Sequence, residues 1–410
     1  MIIIEKPFIQ TFDNQVFIKA HVIDEHARIE DDCYYMTDLK HGKYFHSEGA
    51  DSFILGLILP ALQSSQDIIV KASMSEKLYY NLCNTVIYAL SKAFGYKEIK
   101  VIPEKLINSI TKSFAIGTGC SLGIDSFSTI LQHVADEIPQ SFKLTHLTYF
   151  NVGAHGDKDL KKVRNSYQKD FELVKEFSNE INIPLIPLES NLSIFYAYYN
   201  FDFNQCGLIR NISAVLSMQK LFKKYIYSSG YPISEICLSG IDLAKMEGML
   251  LPALSTENTE LIVGGPNLSR SEKAIQLSDN PIVQKHLYVC VKPLVVNNQM
   301  KYGPWVKIKD NNKKNCSGCD KCLRTLLIFD IVDRIDDYAD LFDLNKYHSL
   351  KKLFMAKVIG LRNSSFVFKD VYNIAKKNGY KISIISRVLS LFYSLKINEL
   401  FYWMLGKLNK

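Results

Sequence analysis

Phe114-Ala-Ile-Gly-Thr-Gly-Cys-Ser-Leu-Gly-Ile-Asp-Ser-Phe-Ser-Thr129 is the stretch on which the reading of this chain turns. A short apolar run leads into a loop rich in Gly and Ser, and a helical pattern follows, which spells strand, loop, helix. In a parallel sheet that junction lies beyond the carboxyl end of a strand, where the helix N-terminus offers unpaired N–H groups and a partial positive charge to an anion. Phosphate is the natural guest. Gly119 and Gly123 permit close backbone approach and positive φ, Ser121 and Ser126 supply hydroxyl donors, and Asp125 either orients the loop or holds Mg²⁺ beside phosphate.

Outward from this stretch, residues 113–241 alternate strand and helix. Strands are expected at 114–118, 144–150, 185–188 and 235–238, with helices at 126–135, 158–181 and 208–227 long enough for right-handed crossovers. The fold class is therefore α/β, a doubly wound parallel sheet of Rossmann-like type. Upstream, residues 1–45 alternate apolar and polar as antiparallel strands do, helices are expected at 51–62 and 75–94, and strands at 68–72 and 99–102. Beyond residue 325 the pattern is helical, ending on a basic segment whose Ile384, Ile385, Val388, Leu389 and Phe392 share one face, expected to dock on the core rather than on a membrane. The segments are an N-terminal α/β lobe at 1–108, a central domain at 109–330 and a helical C-terminal region at 331–410.

With 410 residues, 47% hydrophobic and 22% charged, the chain can bury a large core. A formal charge of +7 permits a nucleic-acid partner without demanding one. Residues 1–6 lack the pattern of a secretory signal, and no apolar run is long enough to span a bilayer. Nine cysteines, an odd number, three of them at Cys316, Cys319 and Cys322, suit thiols in a reducing cytoplasm better than disulfides.

The spacing Ser121-x-Gly123-x-Asp125-Ser126 resembles the Ser-Gly-Gly-x-Asp-Ser signature of the N-type PP-loop ATP pyrophosphatases, with Leu122 at the usual middle glycine. Gly-Lys-Ser/Thr is missing at the helix start, so it is not a Walker loop. A plain strand-to-helix turn capped by Ser126 is the alternative. The resemblance implies a five-stranded sheet of the HUP, adenine nucleotide alpha hydrolase-like kind, ATP and Mg²⁺ as cofactors, and cleavage to AMP and pyrophosphate. It assigns adenine and ribose to the loop after the second strand, where Asn151, Gly153 and Asp157 are candidates. His155 there reads as a phosphate or substrate contact or as a solvated loop residue. Residues 239–242 are expected on the same rim of the sheet, with a helix cap at Asp242 as the alternative.

Two overlapping C-x-x-C units gather Cys316, Cys319 and Cys322, which is how soft divalent metals are held; zinc is the first expectation, with an iron–sulfur cluster and metal-free packing thiols as alternatives. The triplet is similar to that of 7-cyano-7-deazaguanine synthase, a PP-loop enzyme in which a fourth cysteine lies shortly before it. Residues 302–315 here hold neither Cys nor His, so Cys290, His286, Asp310 or water are the candidates for the fourth position.

Taken with Leu251-Pro-Ala-Leu-Ser-Thr and Ser269-Arg270-x-Glu272-Lys273, the motif Cys-x-x-Cys-x-Lys-Cys-Leu-Arg-Thr makes most of the chain resemble a bacterial family of PP-loop proteins. Arg270 and Lys273 suit charge developing on phosphate oxygens, and Ser269 with Glu272 also reads as a capping box. Arg324 is either substrate-facing or a partner of a carboxylate, and Cys120 reads as a small buried thiol. The resemblance implies adenylation of a substrate oxygen, then displacement of AMP by a nitrogen or sulfur nucleophile on a small molecule. An RNA-modifying thiolase and a noncatalytic ATP-binding module are the other readings.

Overall fold

A computed structural model describes residues 1–109, 111–157, 159–290 and 313–395. These form two compact units, Met1–Ser121 with Thr129–Asn267, and Leu122–Ser128 with Leu268–Lys410. The first is built on a sheet that, among the described residues, has eleven strands. Its parallel half joins β7 (Ala115–Gly119), β8 (His146–Asn151), β9 (Leu185–Ser190), β10 (Phe222–Ser228) and β11 (Glu260–Gly264) in the order β11-β10-β7-β8-β9. The chain runs outward from β7 through β8 to β9, then returns to place β10 on the other side of β7. That reversal is the topological switch point at which α/β sheets bind ligands, and the loop at Ser121 leaves from it. Small residues let β7 sit there: a Cβ on Gly117 would lie 2.4 Å from the Phe222 ring.

The other half carries β1 (Ile2–Ile4), β2 (Phe8–Phe12), β3 (Gln15–Asp24), β4 (Ile29–Asp38), β5 (Ile68–Ser75) and β6 (Val101–Ile107). β9 meets β4 antiparallel at Tyr35–Ser190 and Met36–Glu189, so one sheet continues from the N-terminal segment into the parallel half. Alternate residues of β3 are buried, as the period-2 pattern of the sequence requires. The helix Asp51–Ser64 is buried along nearly its whole length and forms the centre of the core.

Two expectations are corrected. Residues 222–227, read as the end of a helix, lie in β10, because the helix Phe203–Ser217 stops five residues before that strand; the expected strand at 235–238 is absent, and its Ile236 and Leu238 are exposed. Residues 239–242 thus follow no strand, and Asp242 caps a short 3-10 turn by accepting from the Ala244 N–H at 3.0 Å.

The second unit is helical among its described residues. Asp330 on the helix Asp320–Ile331 accepts from Tyr347 at 2.8 Å, Tyr380 at 2.6 Å and Lys351 at 2.6 Å, tying three segments together. The last described helix, Ile384–Ser394, is set opposite to expectation. Ser386, Ser390 and Tyr393 face inward, while Ile384, Ile385 and Val388 are exposed. The physical reason is close helix approach: a Cβ on Gly360 of the helix Leu344–Leu361 would fall 2.4 Å from Tyr393 Cβ, so the glycine there admits the face that carries Tyr393 and Ser390. Of the C-terminal region, residues 396–410 lie outside the described residues. Among those described, no helix is long and apolar enough to cross a membrane.

Candidate functional site

β7 ends at Gly119, and the loop that follows differs from expectation in its backbone. Neither Gly119 nor Gly123 adopts positive φ; Leu122 does, at φ 56°. Leu122 thus holds a conformation that glycine adopts more readily. Left-handed backbone costs a non-glycine residue roughly 1–2 kcal/mol. Burial of the Leu122 side chain (2% exposed) and donation from Tyr288 N–H to its carbonyl at 2.8 Å offset that strain. Ser121 is exposed, and Ser126 Oγ donates to the Gly123 carbonyl at 3.0 Å, closing the first turn of the helix Ile124–Val134.

Asp125 stands on that first turn and gathers the two cations singled out from sequence. Arg270 Nε donates to Asp125 Oδ2 at 2.8 Å, Arg270 Nη2 bonds to the same oxygen, and Lys273 Nζ lies 3.8 Å from Oδ1. Both cations come from the helix Arg270–Leu277, whose N-terminus is closed by the Ser269–Glu272 capping box. Capping and presentation of Arg270 therefore hold together. Lys273 is 1% exposed, and Asp125 Oδ1 is buried without a hydrogen-bond partner.

Lys321, which sequence reasoning did not select, belongs to the same cluster. It is open to solvent yet crowded by protein. That crowding first, then the positive charge of Arg270 and Arg324, pushes its ammonium down to about 8. Its position between two cysteines of a metal-type motif hid it in the sequence. Arg270, Lys273, Lys321 and Arg324 thus bring positive charge around Asp125.

The loop after β8 is shaped by a buried ion pair. Arg210, fully buried, donates from Nη1 and Nη2 to both oxygens of Asp157 at 2.9 Å, with Tyr196 stacked on the guanidinium at 4.7 Å. Gly153, at φ 119°, passes so close that a Cβ would lie 2.4 Å from Arg210 Cζ. Asn151 Nδ2 donates to Glu189 at 2.9 Å. His155 is enclosed rather than solvated: its Nε2 lies 3.0 Å from Tyr149 Oη and 3.5 Å from Asp170. Cys120 is buried. Elsewhere in the first unit an open groove of about 760 Å³ runs beside β4 and the helix Leu160–Glu180, lined by residues such as Thr37, Lys40, Arg164 and Glu189; none of the residues singled out from sequence lines it.

Cys316, Cys319 and Cys322 come together, and Cys290 completes the group, with all four Sγ atoms within 4.8 Å of one another. Cys316 Sγ and Cys322 Sγ are 3.9 Å apart, against the ~3.8 Å set by tetrahedral Zn–S bonds of ~2.3 Å. Backbone N–H groups point at the sulfurs, from Cys316 to Cys290 Sγ and from Cys319 to Cys316 Sγ, each at 3.4 Å. Hydrogen bonds from its neighbours, Cys290 first, pull the Cys316 thiol far below its usual range, while burial pushes Cys322 up. Four thiolates this close ionise together only around a cation, and this donor set can hold zinc. His286 is not one of the four, and Asp310, the other protein candidate, lies outside the described residues.

Asn315 brings Cys290 in. Its fully buried side chain donates to Leu287 O at 2.9 Å and accepts from Val289 N–H at 2.9 Å, clamping the strand-like approach of 287–290 against the cysteine loop. No family model, curated protein or solved structure matches this chain.

Proposed function

We propose that this chain binds ATP with its phosphates at residues 121–126 and splits it to AMP and pyrophosphate in order to adenylate an oxygen of a small-molecule substrate. The observation that carries the reading is the convergence on Asp125: a helix N-terminus leaving the sheet's switch point, with Arg270 and Lys273 brought to the same carboxylate. Arg270, Lys273, Lys321 and Arg324 gather positive charge around Asp125, and a polyphosphate is an anion that matches such a cluster.

On this reading a substrate oxygen attacks the α-phosphorus, and negative charge grows on the phosphate oxygens as pyrophosphate leaves. Arg270, Lys273, Lys321 and Arg324 supply fixed positive charge to that change, which lowers the barrier because the dipoles are already oriented. Asp125 holds Arg270 in place, and its unmatched Oδ1 suits the Mg²⁺ that accompanies ATP. The resemblance gives adenine and ribose to Asn151 and Gly153, in a loop packed against Arg210. A nitrogen or sulfur nucleophile then displaces AMP. Zinc on Cys290, Cys316, Cys319 and Cys322 would supply structural cross-linking, fixing the start of the helix that bears Lys321 and Arg324.

Pyrophosphate release on incubation with candidate carboxylates and modified bases tests the reading. The expected result is substrate-dependent release that disappears in Asp125→Ala with the fold intact. Nucleotide binding without release under every substrate would leave a binding module, and unchanged nucleotide affinity in Asp125→Ala would defeat the assignment of the loop.

A further inference from the structure

The helix Ile384–Ser394 presents its apolar residues outward. Ile384 is 79% exposed, Ile385 53%, Val388 54%, Leu391 59%, and Leu395 just beyond it 65%. Positions 384, 388, 391 and 395 fall on one side of a helix, and their combined apolar surface is roughly 500 Å², near the upper end of what a soluble monomer leaves open. The inner face is fixed by other means: Ser386 Oγ donates to Lys352 O at 2.9 Å, and Tyr393 packs at Gly360. Rotating the helix to bury the stripe would break the Ser386 hydrogen bond and lift Tyr393 from Gly360, so the exposure is built in.

Charge says what covers the stripe. Residues 376–410 hold seven lysines and arginines against a single acid, Glu399, so +6 of the chain's +7 lies in this one segment. Lys376, Lys377, Lys381 and Arg387, its described members, are all exposed. A second copy of the same surface would be repelled by that charge, whereas anionic lipid headgroups would be attracted at about 1 kcal/mol per cation near the surface.

We propose that the helix Ile384–Ser394 docks this protein in the plane of an anionic lipid surface, its apolar stripe in the headgroup–acyl boundary and the flanking cations on the headgroups. A helix of this kind lies on a bilayer without spanning it, in keeping with the absence of a spanning helix among the described residues.

The test is flotation of the full chain with vesicles of phosphatidylcholine alone and of phosphatidylcholine mixed equally with phosphatidylglycerol. Wild type is expected to float with the mixed vesicles at least about tenfold more than with the neutral ones, and to be released by salt. Val388→Asp with Leu391→Asp should abolish flotation while thermal unfolding stays unchanged, since both side chains point to solvent. Lys376→Glu with Lys377→Glu, both exposed, should lower it about tenfold. No flotation of wild type, or flotation that survives the two aspartates, overturns the proposal. So does a wild-type dimer without flotation that Leu391→Asp dissociates, which would make a second copy the occupant.

Discussion

Replacing Lys273 with methionine separates a binding role from a packing role, because the two push stability and affinity in different directions. Lys273 Nζ sits 3.8 Å from Asp125 Oδ1, too far for a hydrogen bond, so their attraction is Coulombic. At an effective dielectric constant of about 20 that attraction is ~4 kcal/mol. Removing an ammonium from water, as the 1% exposure of Lys273 requires, costs several kcal/mol, which cancels most of the gain. Methionine fills nearly the same volume without a charge, so Lys273→Met should unfold within about 1 kcal/mol of wild type, or later. A charge-assisted bond from Lys273 to phosphate is worth ~2 kcal/mol, so affinity for a Mg-ATP analogue should fall about thirtyfold. Thermal unfolding without ligand, paired with calorimetric titration of the analogue, reads both numbers. A loss of 3–5 kcal/mol, as expected for a broken buried pair, with affinity unchanged, would refute the reasoning and make Lys273 a structural strut.

Cys319→Ser should purify with little bound zinc and unfold earlier than wild type, whereas Asn315→Ala should keep three ligands near one another but bind zinc 10–100-fold more weakly, both read by metal analysis and competition with a chelator. Gly153→Ala should cost about 3 kcal/mol or more in urea unfolding, since its φ of 119° and the Arg210 guanidinium 2.4 Å from the new Cβ both resist it. Burial, with the charges of His41 and Lys40, pushes His146 down to about 4. The unfolded chain therefore binds the proton first as pH falls from about 6.5, and stability is lost between about 6.5 and 4. For this half-buried side chain the loss should be about 1–2 kcal/mol, and His146→Phe should remove it from the difference between unfolding curves at neutral and acid pH.

What could be read from sequence depended on whether the signal was local. The strand–loop–helix around Gly119, the antiparallel strands of the N-terminal segment and the three clustered cysteines all rest on spacings of a few residues, and the structure carries them. β10 was lost because Lys223 and Lys224 interrupt its apolar run and the preceding helix supplies apolar residues at either period. Ile236 and Leu238 read as part of a strand although both are exposed, since hydrophobicity alone does not say that a residue is inside. Cys290 is separated from Cys316 by a segment with no fixed spacing, so it stood only as one of four options until Asn315 was seen to clamp it. The helix Ile384–Ser394 was placed correctly but turned the wrong way, because periodicity identifies two faces without choosing between them. Ser386, Ser390 and Tyr393 are the inner face, and Gly360 on a different helix admits it.

The account rests on where a polyphosphate binds. A crystal of the protein grown with a non-hydrolysable Mg-ATP analogue should show the β- and γ-phosphates against residues 121–126, with Arg270 and Lys273 in contact with their oxygens and Mg²⁺ on Asp125. Phosphates seated away from that loop, with Arg270 still closed on Asp125, would contradict it.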